Sequence, residues 1–182
     1  MSIQKNDNTI VIHKASIDDQ KIIADLGKKT FDQSYGTFFK NKKNLSEYLE
    51  SSFSLDKIAN SLEKSDNLYW LVRDKQDDAP IGYAKVKLNS PSEFIDSNHV
   101  SKLQRIYLLK GYEGKGIGSE LHHFILEEVT KTDSTHIWLS NLKIKSQAVA
   151  FYKGKSYQIA GEHRFTIGDE TFDFWAMYKC LK

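Results

Sequence analysis

An α/β fold with a central mixed, mostly antiparallel sheet flanked by helices is predicted from three observations. Strand-like and helix-like patterns alternate along all 182 residues. A strand, a glycine-rich turn and a helix follow one another without a break between Leu103 and Lys131. The chain then closes on two strand-like runs joined by Gly168-Asp169. The middle unit calls for a right-handed crossover between parallel strands, and the hairpins beside it make the sheet mixed. At this length one domain, residues 1–182, is expected.

Each element has its own signal. Thr9 to His13 is a β-branched run and reads as the first strand. Ser16 and Asp19 have the spacing of a capping box, and Ile22, Ile23, Leu26 and Phe31 give the next helix its apolar face. The connecting stretch Phe31 to Lys43 holds Tyr35, Gly36, Phe38 and Phe39, which suit either the core or one wall of a substrate groove. Helical spacing resumes from Asn44 to Lys64 in two pieces, the second capped by Ser54. Leu68 to Arg73 and Ile81 to Leu88 read as a hairpin around Asp77-Asp78-Ala79-Pro80. Ser90 to Val100 is polar and irregular. Then follow a strand at Leu103 to Leu109, a helix at Gly116 to Lys131 and a strand at His136 to Ser140. A helix at Ser146 to Lys153 and strands at Tyr157 to Ile167 and Thr171 to Lys179 complete the order. In the last strand Phe172, Phe174, Ala176 and Tyr178 alternate, a pattern that fits a homodimer face or simply the core.

Composition narrows the function classes. A net charge of +2 argues for neither a nucleic-acid nor a membrane partner, and the cluster Lys40, Lys42 and Lys43 reads as a solvated loop. No apolar run approaches the roughly 20 residues of a membrane span. Met1 to Asn8 is polar, without a signal-peptide core, and is expected to be a flexible tail; a cytoplasmic location follows as the default. Cys180 is the single cysteine, which excludes an internal disulfide and reads as incidental. No metal-ligand spacing stands out, so no metal is expected.

The chemistry concentrates in Glu113-Gly114-Lys115-Gly116-Ile117-Gly118-Ser119, between a strand and a helix. The first N–H groups of a helix lack intrahelical partners and face an anion favourably. Glycines at 114, 116 and 118 let the backbone approach such a ligand closely. The dipole contributes only ~0.3–1 kcal/mol per charge, so several converging N–H groups must hold the anion. A P-loop would need Ser or Thr after its lysine, where this chain has Gly116. A dinucleotide fingerprint would need a third glycine three residues after the second, and it is missing.

Gly116 and Gly118 resemble the two glycines of the Arg/Gln-x-x-Gly-x-Gly/Ala turn of the GNAT superfamily of N-acetyltransferases. Ala148-Val149-Ala150-Phe151-Tyr152 is similar to that superfamily's Asn-x-x-Ala-x-x-Phe-Tyr motif, and the element order agrees over roughly residues 9 to 180. Leu103-Gln104-Arg105-Ile106-Tyr107 and Gly168-Asp169-Glu170 look like the bacterial spermidine/spermine acetyltransferase branch. The resemblance implies a GNAT-type fold and acetyl-CoA as co-substrate. The main chain of Ile106, Tyr107 and Leu108 would pair with pantetheine, and their N–H groups could polarise the thioester. Gly114, Lys115, Gly116, Ile117, Gly118 and Ser119 would hold the pyrophosphate, with Lys145, Ser146 and Ala148 lining the other side.

The implied reaction moves an acetyl group to a small primary amine, such as spermidine or spermine. Asp32, Glu47 and Glu50 could attract a polycation or equally form a solvated face, the commoner outcome. An aminoglycoside, an amino acid or a protein N-terminus is the alternative acceptor, and a non-catalytic acyl-CoA-binding module the alternative class. Tyr152 would protonate the departing thiolate, since a phenol of pKa ~10 suits that basicity. No base is assigned: Lys102 stands where related chains often carry an acid, and Gln104, Glu162 and Asp173 are polar candidates. His122 and His123 are expected on the helix surface. Three positions depart from the family pattern. Glu113 replaces Arg/Gln, Lys145 replaces Asn, and Ser156 replaces a helix-ending glycine whose role Gly154 could take.

Overall fold

The computed structural model describes residues 9–182, and the expected N-terminal tail lies outside them. Strand β1 (Ile10–Lys14) leads to Ser16, whose hydroxyl accepts from the Asp18 amide while the Asp19 carboxylate accepts from the Ser16 amide. The capping box is therefore present, but it opens a single 3-10 turn, Ile17–Asp19, before helix α1 (Gln20–Tyr35) begins. That helix takes in the first five residues, Phe31 to Tyr35, of the stretch expected to be a connection. Phe31 and Tyr35 sit one turn apart with ring centroids 4.8 Å from each other, and this packing keeps the last turn helical. A 3-10 turn (Gly36–Phe38) then leads to α2 (Lys42–Ser52) and α3 (Leu55–Leu62). Asn41 and Ser54 cap them by accepting from the Lys43 and Lys57 amides.

The remaining elements are β2 (Asn67–Asp74), β3 (Pro80–Lys87), β4 (Val100–Leu108), α4 (Ile117–Thr130), β5 (His136–Leu142), α5 (Ser146–Gly154), β6 (Gln158–Ile167) and β7 (Glu170–Cys180). The seven strands form one sheet in the order β1-β2-β3-β4-β5-β7-β6. Only β4 and β5 run parallel, as the crossover through α4 requires. Two cores cover its faces. Leu121, Ile125 and Val129 of α4 pack with Val86, Leu103, Ile137 and Met177 on one side. Ile23, Leu26 and Phe31 of α1 pack with Phe53, Tyr69, Leu71 and Tyr83 on the other.

Two expectations are corrected here. His122 is buried, not on the surface; its Nε2 lies 3.0 Å from the Tyr157 hydroxyl, within a cluster with Phe151 and Tyr152. The inward stripe of α4 is wide enough to take a polar side chain that finds a partner. Exposed His123 pairs with Glu127 instead. The residue that takes the left-handed conformation after α5 is Ser156 itself, at φ +67°, while Gly154 ends the helix at ordinary φ. The turn thus uses a serine where glycine would be unstrained.

Candidate active site

The site begins with a divergence in the sheet. β4 and β5 pair only at Val100–Lys102 with His136–Trp138, although both strands continue. Beyond that point β4 has an edge without a strand beside it, and Ile106, Tyr107 and Leu108 lie along it. On its other edge β4 is held to β3 so closely that a Cβ on Gly82 would lie 2.5 Å from the Tyr107 carbonyl oxygen. A bulge interrupts that pairing, because Lys85 pairs with Arg105 while Val86 pairs with Leu103, leaving Gln104 as the extra residue. The bulge changes which residues face which side. Leu103, Ile106 and Leu108 pack toward α4, whereas Lys102, Gln104, Arg105 and Tyr107 face the opposite side.

A cleft of about 230 Å³ opens along the free edge of β4. It brings together Ile106, Tyr107, Leu108, Gly118, Lys145, Ala148 and Tyr152, seven residues named from the sequence that come from three separate segments. Tyr35, Asn141 and Phe151 join them. At one end stands the glycine turn. Gly111, Gly114 and Gly116 have φ of +99°, +73° and +82°, and no atom lies within 4 Å of a Cβ built on any of them. Gly116 is the N-cap of α4 without a side-chain cap, so the Ile117 and Gly118 amides point out of the helix end. The Ser119 and Glu120 amides already bond the Gly116 carbonyl at 3.0 Å. The Ile117 side chain is buried in the core, so only its backbone is available to a ligand. Gly114, Lys115 and Ser146 are exposed and are not among the residues that line the cleft.

Two of the departures from the family pattern meet in this cleft. Glu113 and Lys145 both line it, and Lys145 Nζ lies 4.5 Å from the Tyr35 ring centroid. Burial pushes the Lys145 ammonium down, while the Glu113 carboxylate acts against that shift. The carboxylate at 113 is thus accompanied by a cation at 145. Tyr152 is buried, and burial, reinforced by neighbouring Tyr107, raises its phenol well above the ordinary value. Its ring is held between Phe151 and Tyr157 with centroids 5.2 and 5.4 Å away.

On the other side of Tyr35 and Tyr107, which line both spaces, lies a groove of about 210 Å³. The aromatic stretch of α1 and the 3-10 turn serves both roles foreseen for it: Phe31 and Phe39 are core residues and also groove wall. Phe172 and Phe174 of β7 form the facing wall, which accounts for half of the alternating pattern that had also suggested a homodimer face. His163 lies in the groove with its ring stacked on Phe174 (5.5 Å, 10°) and Nε2 2.8 Å from Ser140 Oγ. Burial lowers its pKa, so the imidazole is neutral at pH 7.

Of the polar candidates for a base, Gln104 lines the groove, Glu162 is exposed and paired with Lys143, and Asp173 is paired with Arg164 at 3.0 Å. Asp32, Glu47 and Glu50 lie outside the groove lining, and the latter two pair with Lys43 and Lys28. Arg105 and His163 had not been singled out as functional. A skipped beat in the apolar pattern Leu103-x-x-Ile106-x-Leu108 was the available sign of the bulge that turns Arg105 inward.

A parted pair of parallel strands, with a bare glycine-lined helix N-terminus at its mouth, forms a site suited to an extended anionic ligand. The sequence pattern of the Acetyltransferase (GNAT) family matches residues 31–156, and the chain belongs to that family, which makes it an N-acetyltransferase. An uncharacterized N-acetyltransferase in the pepI 3′ region of Lactobacillus delbrueckii subsp. lactis is 24% identical over 157 residues, 86% of this chain and 88% of that one. The structure of the PaiA N-acetyltransferase from Thermoplasma acidophilum in complex with coenzyme A superposes with a TM-score of 0.70 at 21% identity, covering 94% and 98% of the two chains. Mutant forms of the spermidine/spermine N-acetyltransferase SpeG from Vibrio cholerae give 0.68 at 15% identity, covering 96% and 95%. Among the described residues no helix is long and apolar enough to cross a membrane.

Proposed function

We propose that this chain transfers the acetyl group of acetyl-CoA to a primary amine by direct attack, with Tyr152 as the proton donor. One observation carries the reading: the free edge of β4, the glycine turn and Tyr152 share a cleft that joins an aromatic groove at Tyr35 and Tyr107. The residues present fit the co-substrate. The turn offers amides and open space to a pyrophosphate, Lys145 adds a cation, and the PaiA relative was solved with coenzyme A.

The amine nitrogen bonds to the thioester carbon, and the carbon–sulfur bond breaks as the tetrahedral centre collapses. N–H groups on the free edge of β4 meet the developing oxyanion. Tyr152, which burial keeps protonated but makes a weaker acid than a free phenol, gives its proton to the sulfur and recovers one from solvent. The proton lost by the amine passes to the neutral imidazole of His163, through the Ser140 hydroxyl or water.

A polyamine acceptor draws support from the likeness to SpeG. Its distal ammonium would look for carboxylates, which occur in the adjoining outer pocket as Asp169, Glu170 and Asp173. These are engaged by Asn44, by the Lys40 and Asn41 amides, and by Arg164. The test is thiol release from acetyl-CoA with a panel of amines. Turnover of at least one is expected; coenzyme A binding without thiol release for every amine leaves a binding module instead.

A further inference from the structure

The groove beside the cleft has a charge pattern that bears on the acceptor, and its role as an acceptor site rests on the acetyl-transfer function proposed for the cleft. Its lining contains Lys102 and Arg105 and, among the described residues, no aspartate or glutamate. Arg105 lies deep, its guanidinium 4.3 Å from the Phe53 ring centroid and facing the hydroxyls of Tyr48, Tyr83 and Tyr107. No described carboxylate lies within salt-bridge distance of it, although seven other lysines and arginines have one. Lys102, on the same strand and half-buried, has Nζ 4.0 Å from the Trp138 ring centroid and likewise no carboxylate partner. Both keep some contact with solvent, yet the groove surrounds them with rings and hydroxyls and offers no carboxylate. Ring faces and phenols ease the burial of Arg105, but they supply no negative charge. The bulge at Gln104 is what turns Arg105 into the groove. A regular strand in register with Leu103 would aim it at the α4 side, so the backbone irregularity serves this side chain.

We infer that this groove recognises the acceptor through a carboxylate, and that the acceptor is a small amino acid-like amine with an apolar or aromatic body. A guanidinium fork matches a carboxylate in two parallel hydrogen bonds, and Lys102 adds a second charge on the same side. Along β4, Arg105 and Tyr107 share a face, and the Arg105 guanidinium faces the Tyr107 hydroxyl. A carboxylate held there keeps its α-amine, one carbon away, beside Tyr107, where the groove meets the cleft. Phe39, Phe172 and Phe174 accept the apolar body. A second ammonium in the same position would face two cations and no anion.

The experiment measures kcat/KM for thiol release with apolar and aromatic amino acids, their amides, the corresponding decarboxylated amines, spermidine and spermine. In parallel it measures calorimetric binding of 3-phenylpropionate, which has the carboxylate and body but no amine. Amino acids are expected to exceed their amides by roughly 30-fold, the usual scale for a lost partner of a buried charge. Lys102→Gln and Arg105→Lys should each shrink that preference without raising the KM for acetyl-CoA. Equal or better turnover of amides, decarboxylated amines or polyamines overturns the inference. If no amine releases thiol, the acetyl-transfer reading fails on its own. The carboxylate site then stands if 3-phenylpropionate binds wild type and not Lys102→Gln, and falls if it does not bind.

Discussion

The two spaces on either side of Tyr107 are built by opposite means. The cofactor cleft is made chiefly of backbone: a strand edge, a helix N-terminus and glycines that stay out of the way. The neighbouring groove is made of side chains from α1, α2 and strands β4 to β7, with aromatic rings for walls and two cations in the lining. Backbone recognition depends on a short contiguous stretch that sets a few φ angles. Side-chain recognition depends on which distant segments the topology brings together. The difference teaches why the turn can be read from a few consecutive residues while the groove beside it cannot.

That contrast can be broken residue by residue. Tyr152→Phe, at the boundary of cleft and chemistry, should lower kcat by ~10²-fold or more with coenzyme A affinity little changed. Unchanged kcat in that variant would remove Tyr152 from the reaction. Gly116→Val forces a branched side chain into φ +82° and distorts the amide cradle. It should weaken coenzyme A binding by about 10-fold or more, while leaving amine KM intact. A parallel rise in both constants would mean that cleft and groove do not separate.

His122 offers a pH test of the scaffold behind the cleft. Burial lowers its pKa to about 4, against an ordinary 6.5. Below pH 6.5 the unfolded chain takes up a proton that the folded chain refuses, so this contribution is full above 6.5 and is lost as pH falls toward 4. Between pH 7 and pH 5 the loss should be roughly 2 kcal/mol. Denaturant titrations of wild type and His122→Phe at both pH values would show it, as a pH-dependence that the variant lacks.

His163→Gln alters the groove alone. It should lower kcat at pH 7 by roughly 10-fold and flatten the acidic limb of the rate profile, since a lowered pKa places that limb below 6.5. A wild-type profile would assign the proton to water. Smallest is Ser156→Gly, which relieves φ +67° after α5. A gain of about 1 kcal/mol in unfolding free energy with unchanged kinetics is expected.

Much of the fold was legible because its signals are local. Capping residues Ser16 and Ser54, the apolar spacing of α4 and the hairpin glycine at 168 act within a few residues, and each appears where the pattern predicts. His122 was misread for the same reason: a helix position is inside or outside only relative to Tyr157, 35 residues away. The Glu113–Lys145 combination was visible as two separate departures and becomes complementary only across the cleft.

The sequence by itself determined the α/β order, the glycine turn and the phenol at 152, because helix ends and left-handed turns are written in consecutive residues. Tertiary structure alone decided the parting of β4 from β5, the bulge at Gln104 and the carboxylate-free groove around Arg105. Strand pairing and groove charge are sums over residues far apart in the chain, and only the fold performs that sum.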